Sequence, residues 1–167
     1  MRVQTRASSG QAGAEGRTIG GWLWFVALGL VIFPVWKAAA IAEDLLPAFT
    51  IEAWAALTRP GGPAYHPLNA RVLVFELIGN GLLLVASLFV AGTFFLRSRL
   101  LPRIMVVFLL SALLFYVTDY IVSGLLPAVA SERGTESLID LALSCLICVV
   151  LVPSFLFSKR VKATFVR

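Results

Sequence analysis

The sequence predicts an all-α integral membrane protein, a bundle of four transmembrane helices with both termini on the cytoplasmic side (N-in/C-in). Three observations predict it. Of 167 residues, 59% are hydrophobic and only 14% are charged, well outside the usual range of soluble domains. The apolar residues gather in four blocks, Ile19 to Trp36, Val72 to Leu96, Ile104 to Ala130 and Leu138 to Phe157. Each reaches or approaches the roughly 20 residues that cross a hydrocarbon core about 30 Å thick, and the blocks mostly lack the polar face of a soluble bundle helix. Finally, basic and acidic residues alternate between the connections. Arg2, Arg6 and Arg17 precede the first block, Arg97, Arg99 and Arg103 lie between the second and third, and Lys159, Arg160, Lys162 and Arg167 follow the fourth. These are ten of the fourteen basic residues, whereas Glu43, Asp44, Glu52, Glu132 and Glu136 fall in the other two connections. Lysine and arginine stay on the cytoplasmic side of a membrane, which sets the orientation.

Along the chain, residues 1–18 are small and polar and predict a disordered cytoplasmic N-terminus. Residues 19–158 form the transmembrane domain, with an outer loop at 37–71, and 159–167 form a basic cytoplasmic tail. The first block opens with Gly20, Gly21, Trp22 and Trp24, aromatic residues at the depth of an interfacial belt, and closes with Pro34, Trp36 and Lys37. Pro34 predicts a bend, and Trp36 with Lys37 an anchor at the far interface. The block is too long for a secretory signal, which sets aside cleavage near "AAAIAE". In the outer loop, Asp44 to Thr58 is apolar enough for a short helix lying in the interface, and "RPGGPAYHP" is a run of turn formers. The connection "RSRLLPR" is tight and makes the second and third helices antiparallel neighbours.

Polar residues inside the blocks keep helical spacing. Glu76, Asn80 and Ser87 follow steps of four and seven, Tyr116, Asp119 and Ser123 steps of three and four, and Ser137, Asp140, Ser144 and Cys148 steps of three, four and four. Each set therefore lies along one stripe, and lipid cannot satisfy it, so the stripes face one another. At 1.5 Å per residue, Glu76, Asp119 and Asp140 lie about 7, 10 and 5 Å below the outer ends of their helices. The predicted intramembrane polar cluster is Glu76, Asn80, Tyr116, Asp119, Asp140 and Ser144, with Lys37 and Arg71 as candidate charge partners. A structural reading pairs these acids with the two cations; a functional reading makes them a proton or cation site. Gly79 and Gly81 predict close helix contact.

Other signals are weak. Cys145 and Cys148 read C-x-x-C but sit mid-helix among aliphatic residues, where packing explains them better than redox chemistry. His66 is the single histidine, which excludes a zinc site built on several, and no metal or cofactor site is predicted. No phosphate loop, dinucleotide fingerprint, G-x-S-x-G or HExxH is present. The net charge of +5 fits topology and attraction to anionic lipid headgroups, with Lys159, Arg160 and Lys162 as the contacts, and not nucleic acid.

Several pieces together, "IGGWLW", "ELIGN", "FFLRSRLLP", the aspartate of "YVTDY" and the closing "PSFLFSKRVKATFV", resemble a family of small bacterial inner-membrane proteins, domain-of-unknown-function family 2569. The resemblance runs from about Ile19 to Val166, and "SKRVKATF" is its most specific piece. It implies a four-helix inner-membrane protein and recurrent residues at Gly21, Trp22, Glu76, Asn80, Asp119, Ser158, Arg160, Val161 and Thr164, with no activity attached. The expected function is that of a non-enzymatic accessory or assembly partner of an envelope process, in contact with the lipid bilayer and with a membrane protein partner or a second copy. The alternative is a subunit of an oligomeric proton- or cation-coupled transporter using the intramembrane carboxylates. An enzyme acting on lipid or cell-wall precursor has the least support, because nothing near the carboxyls supplies a nucleophile or metal set.

Overall fold

The computed structural model describes residues 21–62, 64–126, 135–158 and 161, and for 135–137 and 140 the backbone alone. The expectations for residues 1–18, Lys159, Arg160 and Lys162 lie outside the described residues, as does the side chain of Asp140.

The described chain is all-helical. Helix α1 spans Leu23–Ala40, α2 Ile51–Thr58, α3 Asn69–Phe95, α4 Leu101–Ser123 and α5 Thr135–Phe157. Among the described residues, three stretches are long and apolar enough to cross a membrane: Leu23–Phe49, Asn69–Phe95 and Leu101–Ser123. At 1.5 Å per residue α3 is about 40 Å long, ample for a hydrocarbon core near 30 Å. Helix α5 has 23 residues, of which the apolar part is Leu141–Phe157. The outward faces are apolar too, with Phe25 77% and Val35 68% exposed on α1, a surface suited to hydrocarbon and costly in water.

The first apolar block does not stop at Trp36. Ala38, Ala39 and Ala40 are strong helix formers and carry α1 past Lys37, after which a π-turn at Ile41–Leu45 and a 3-10 turn at Leu46–Phe49 follow. Thr50 then leaves the helical path and caps α2, its hydroxyl accepting from the Ala53 N–H at 3.4 Å. Helix α2 therefore begins at Ile51, seven residues after the Asp44 expected from sequence. The stretch from α2 to α3 is tied down by Asn69, whose buried amide donates to the carbonyls of Leu57 and Ala64, both at 2.9 Å.

At the other end, α3 turns into α4 within five residues. Arg97 takes φ 54°, the Ser98 N–H donates to the Thr93 carbonyl and the Arg97 N–H to the Phe94 carbonyl, both at 3.1 Å. This is a Schellman ending with arginine where glycine is usual, and Pro102 then starts α4. The short link makes α3 and α4 antiparallel neighbours; α3 also packs on α1, and α4 packs most extensively on α5.

The apolar core is concentrated where α1 and α4 begin and α3 and α5 finish. Leu23, Val26 and Leu30 of α1 meet Val90 and Phe94 of α3, Leu101 and Met105 of α4, and Phe155 of α5. Gly21, at φ 62°, makes the turn that sets Trp22 edge-on to Phe155 at 5.5 Å. Val161 is fully buried in the same cluster, so this part of the tail is packed on the bundle.

Candidate functional site

The opposite end of the bundle holds the polar side chains. Lys37 lies one turn after Pro34, which has no N–H to offer the Leu30 carbonyl, and just before the π-turn. Such irregular turns recur at functional places in helices. The lysine turns inward and is only 5% exposed. Its ammonium donates to Asn80 Oδ1 at 2.8 Å, joining α1 to α3, and Asn80 Nδ2 donates to the Glu76 carbonyl one turn earlier, also at 2.8 Å. The second bond fixes which end of the Asn80 amide faces the cation.

Three rings surround the same ammonium. Its nitrogen lies 5.1 Å from the ring centre of Tyr116 on α4, 5.3 Å from Trp36 and 6.0 Å from Phe33. These are cation–π distances, and they supply negative ring faces where water is scarce. Asp119, one turn along α4 from Tyr116, is within electrostatic reach of both Lys37 and Glu76, and its Oδ1 is shielded from solvent. Ser123 donates its hydroxyl to the Asp119 backbone carbonyl at 2.6 Å. Glu76 is half-buried, and its carboxyl makes no hydrogen bond or ion pair among the described residues.

Two helices are held unusually close beside this cluster. Phe115 of α4 lies against Gly79, where a Cβ would collide with the ring, and the same ring packs on Phe75 at 5.4 Å. Gly81 faces open space, so of the two glycines only Gly79 makes the close contact.

The structure thus brings together Lys37, Glu76, Asn80, Tyr116 and Asp119. Arg71 is exposed and makes no hydrogen bond or ion pair among the described residues. Ser144 is half-buried on α5, one turn before Cys148, whose thiol donates to the Leu109 carbonyl at 3.3 Å. With α4 and α5 antiparallel, that contact sets the Asp140 backbone level with the Tyr116–Asp119 turn. Lys37 as an interface anchor is replaced by Lys37 as a buried cation, because the helix continues beyond it. The sequence reading missed Phe33 as part of the ring cage; its signal was the four-residue step to Lys37, which puts both on one face.

The cluster can hold three helices in one register through a buried charge, an amide and rings. Asp119 lies within electrostatic reach of the Lys37 ammonium on one side and of the Glu76 carboxyl on the other. Among the described residues no group of three or more His, Cys, Asp or Glu side chains could hold a metal ion.

Comparison with curated proteins and with solved structures returns no match. A sequence-family model described as "Protein of unknown function (DUF2569)" matches residues 16–166. Nearly the whole chain is covered, including every residue of the polar cluster, and the chain belongs to the DUF2569 family.

Proposed function

We propose that the chain is a bacterial inner-membrane protein with four spans and cytoplasmic termini, and that it serves as a non-enzymatic accessory or assembly partner of an envelope process. Helix α5, at about 35 Å by its 23 residues, supplies the fourth span, its polar N-terminal turn reaching the interface. The observation that carries the reading is the use to which the intramembrane polar groups are put. The Lys37–Asn80 bond, the Tyr116 ring and Asp119 link α1, α3 and α4, so the cluster supports the reading of a register lock inside one bundle. A locked bundle presents a fixed apolar exterior, which is what a membrane partner recognises. The test is crosslinking of a tagged copy in its native membrane. A single defined partner is expected, and recovery of the tagged chain alone refutes the reading.

A second reading, an oligomeric proton- or cation-coupled transporter subunit, is favoured by one observation. Two carboxyls, Glu76 and Asp119, lie within electrostatic reach of each other, and Glu76 has no cation beside it among the described residues. Reconstituted protein would then show a pH-dependent flux that Glu76→Gln and Asp119→Asn abolish. A flux intact in both variants, or no flux, removes this reading.

A further inference from the structure

The α3–α4 face carries a groove of about 340 Å³ on the core side of Gly79. Leu83 and Val90 form its floor, Ala86, Ile104 and Val107 its walls, and Phe115, seated on Gly79, closes one end. From Ile104 to Phe115 the groove runs about 16 Å along α4, close to the roughly 15 Å of one leaflet's hydrocarbon. An acyl chain laid in it from the Ile104 end would pass Val107 and Ser111 and stop at Phe115.

A cation stands on α4 one turn before the groove's Val107. Arg103 is exposed, and its guanidinium makes no hydrogen bond or ion pair among the described residues. Arg103, Val107 and Ser111 are four residues apart and share one face of α4, and Val107 and Ser111 line the groove. Side chains on a helix lean toward its N-terminus, so Arg103 reaches from the groove mouth toward the surface at which α4 begins. We propose that this groove is a binding site for one anionic phospholipid, its phosphate held by Arg103 and one acyl chain laid along α3 and α4 as far as Phe115. The guanidinium matches a phosphate in charge and in its forked donor geometry, and a basic residue between membrane helices is a recurrent headgroup site. The site is distinct from the Lys37 cluster. It rests on the reading of α3 and α4 as membrane spans and not on the accessory role, which crosslinking tests separately.

The experiment uses the purified full chain equilibrated with vesicles of equal phosphatidylglycerol and phosphatidylcholine, extracted in mild detergent and weighed intact by native mass spectrometry. One phosphatidylglycerol is expected to remain bound in preference to phosphatidylcholine. Arg103→Gln, at an exposed position, should lower its retention about fivefold, the factor that one cationic contact at a lipid surface contributes. Ala86→Phe fills the groove from α3 and should lower retention as much while Arg103 stays intact; circular dichroism checks that both variants keep their helices. Equal retention of the two lipids overturns the proposal. So does unchanged retention in either variant, or a loss produced by Lys162→Gln in the tail instead.

Discussion

Replacing Gly79 with alanine is the sharpest probe of how α3 and α4 meet. A Cβ at this position would stand 2.6 and 2.7 Å from Cζ and Cδ2 of Phe115 and nearer still to Cε2, whereas carbon atoms pack at about 3.5 to 4.0 Å. The ring edge must retreat by roughly 1.5 Å or more, yet Phe75 at 5.4 Å and Tyr116 at 5.8 Å stand beside it. Overpacking of this kind costs about 1 to 3 kcal/mol. Alanine also gains helix propensity over glycine, about 1 kcal/mol, which would mask part of the cost. Gly81→Ala supplies the control, because it gains the same propensity and its Cβ meets nothing within 4 Å. The difference between the two variants is thus the overpacking cost alone. At about 2 to 4 °C per kcal/mol for a chain of this size, Gly79→Ala should melt roughly 2 to 12 °C below Gly81→Ala. Thermal unfolding in one detergent, followed by circular dichroism, reads it. Phe115→Ala introduced into Gly79→Ala should remove the penalty, leaving only the lost ring contacts. Equal midpoints for Gly79→Ala and Gly81→Ala would refute the packing argument.

The remaining predictions concern polar groups. A double-mutant cycle of Lys37→Met and Asn80→Leu should show coupling on the order of 1 to 2 kcal/mol, since a hydrogen bond to a charged group contributes about 1.5 to 3; additivity within about 0.3 kcal/mol would contradict the 2.8 Å contact. Asn69→Ala removes both bonds that hold the Leu57 and Ala64 carbonyls, so hydrogen exchange across residues 51–68 should accelerate while the amides of α4 stay protected. Arg71→Gln, at an exposed site without a partner among the described residues, should change stability by no more than about 0.5 kcal/mol in an unfolding titration.

Much of the architecture was legible in the apolar blocks, because a membrane-crossing helix must satisfy its backbone internally and can expose hydrocarbon on every side. The ends of helices were less legible. A lysine closing an apolar block reads as an interfacial residue, and only the continuation through Ala38–Ala40 shows that Lys37 has not yet reached the surface. Helical spacing put Glu76 with Asn80 and Tyr116 with Asp119, since residues three or four apart share a face wherever the helix lies. Spacing could not separate Gly79 from Gly81, which point to different sides of α3; the distinction comes from Phe115, a residue on another helix. Nor could it separate Lys37 from Arg71 as charge partners, because one faces the bundle and the other faces out.

The central claim is that Lys37 is a buried cation balancing Asp119 and tying α1 to α3 and α4. It is tested most directly by the thermal midpoint of Lys37→Met beside that of Lys37→Met with Asp119→Asn. Removing Lys37 takes away the charge that Asp119 feels and breaks the bond to Asn80, a loss on the order of 1 to 3 kcal/mol. The single variant should therefore melt well below the parent, and adding Asp119→Asn should recover at least half of the loss. A Lys37→Met variant no less stable than Arg71→Gln, or a second substitution that only adds to the loss, would contradict the account.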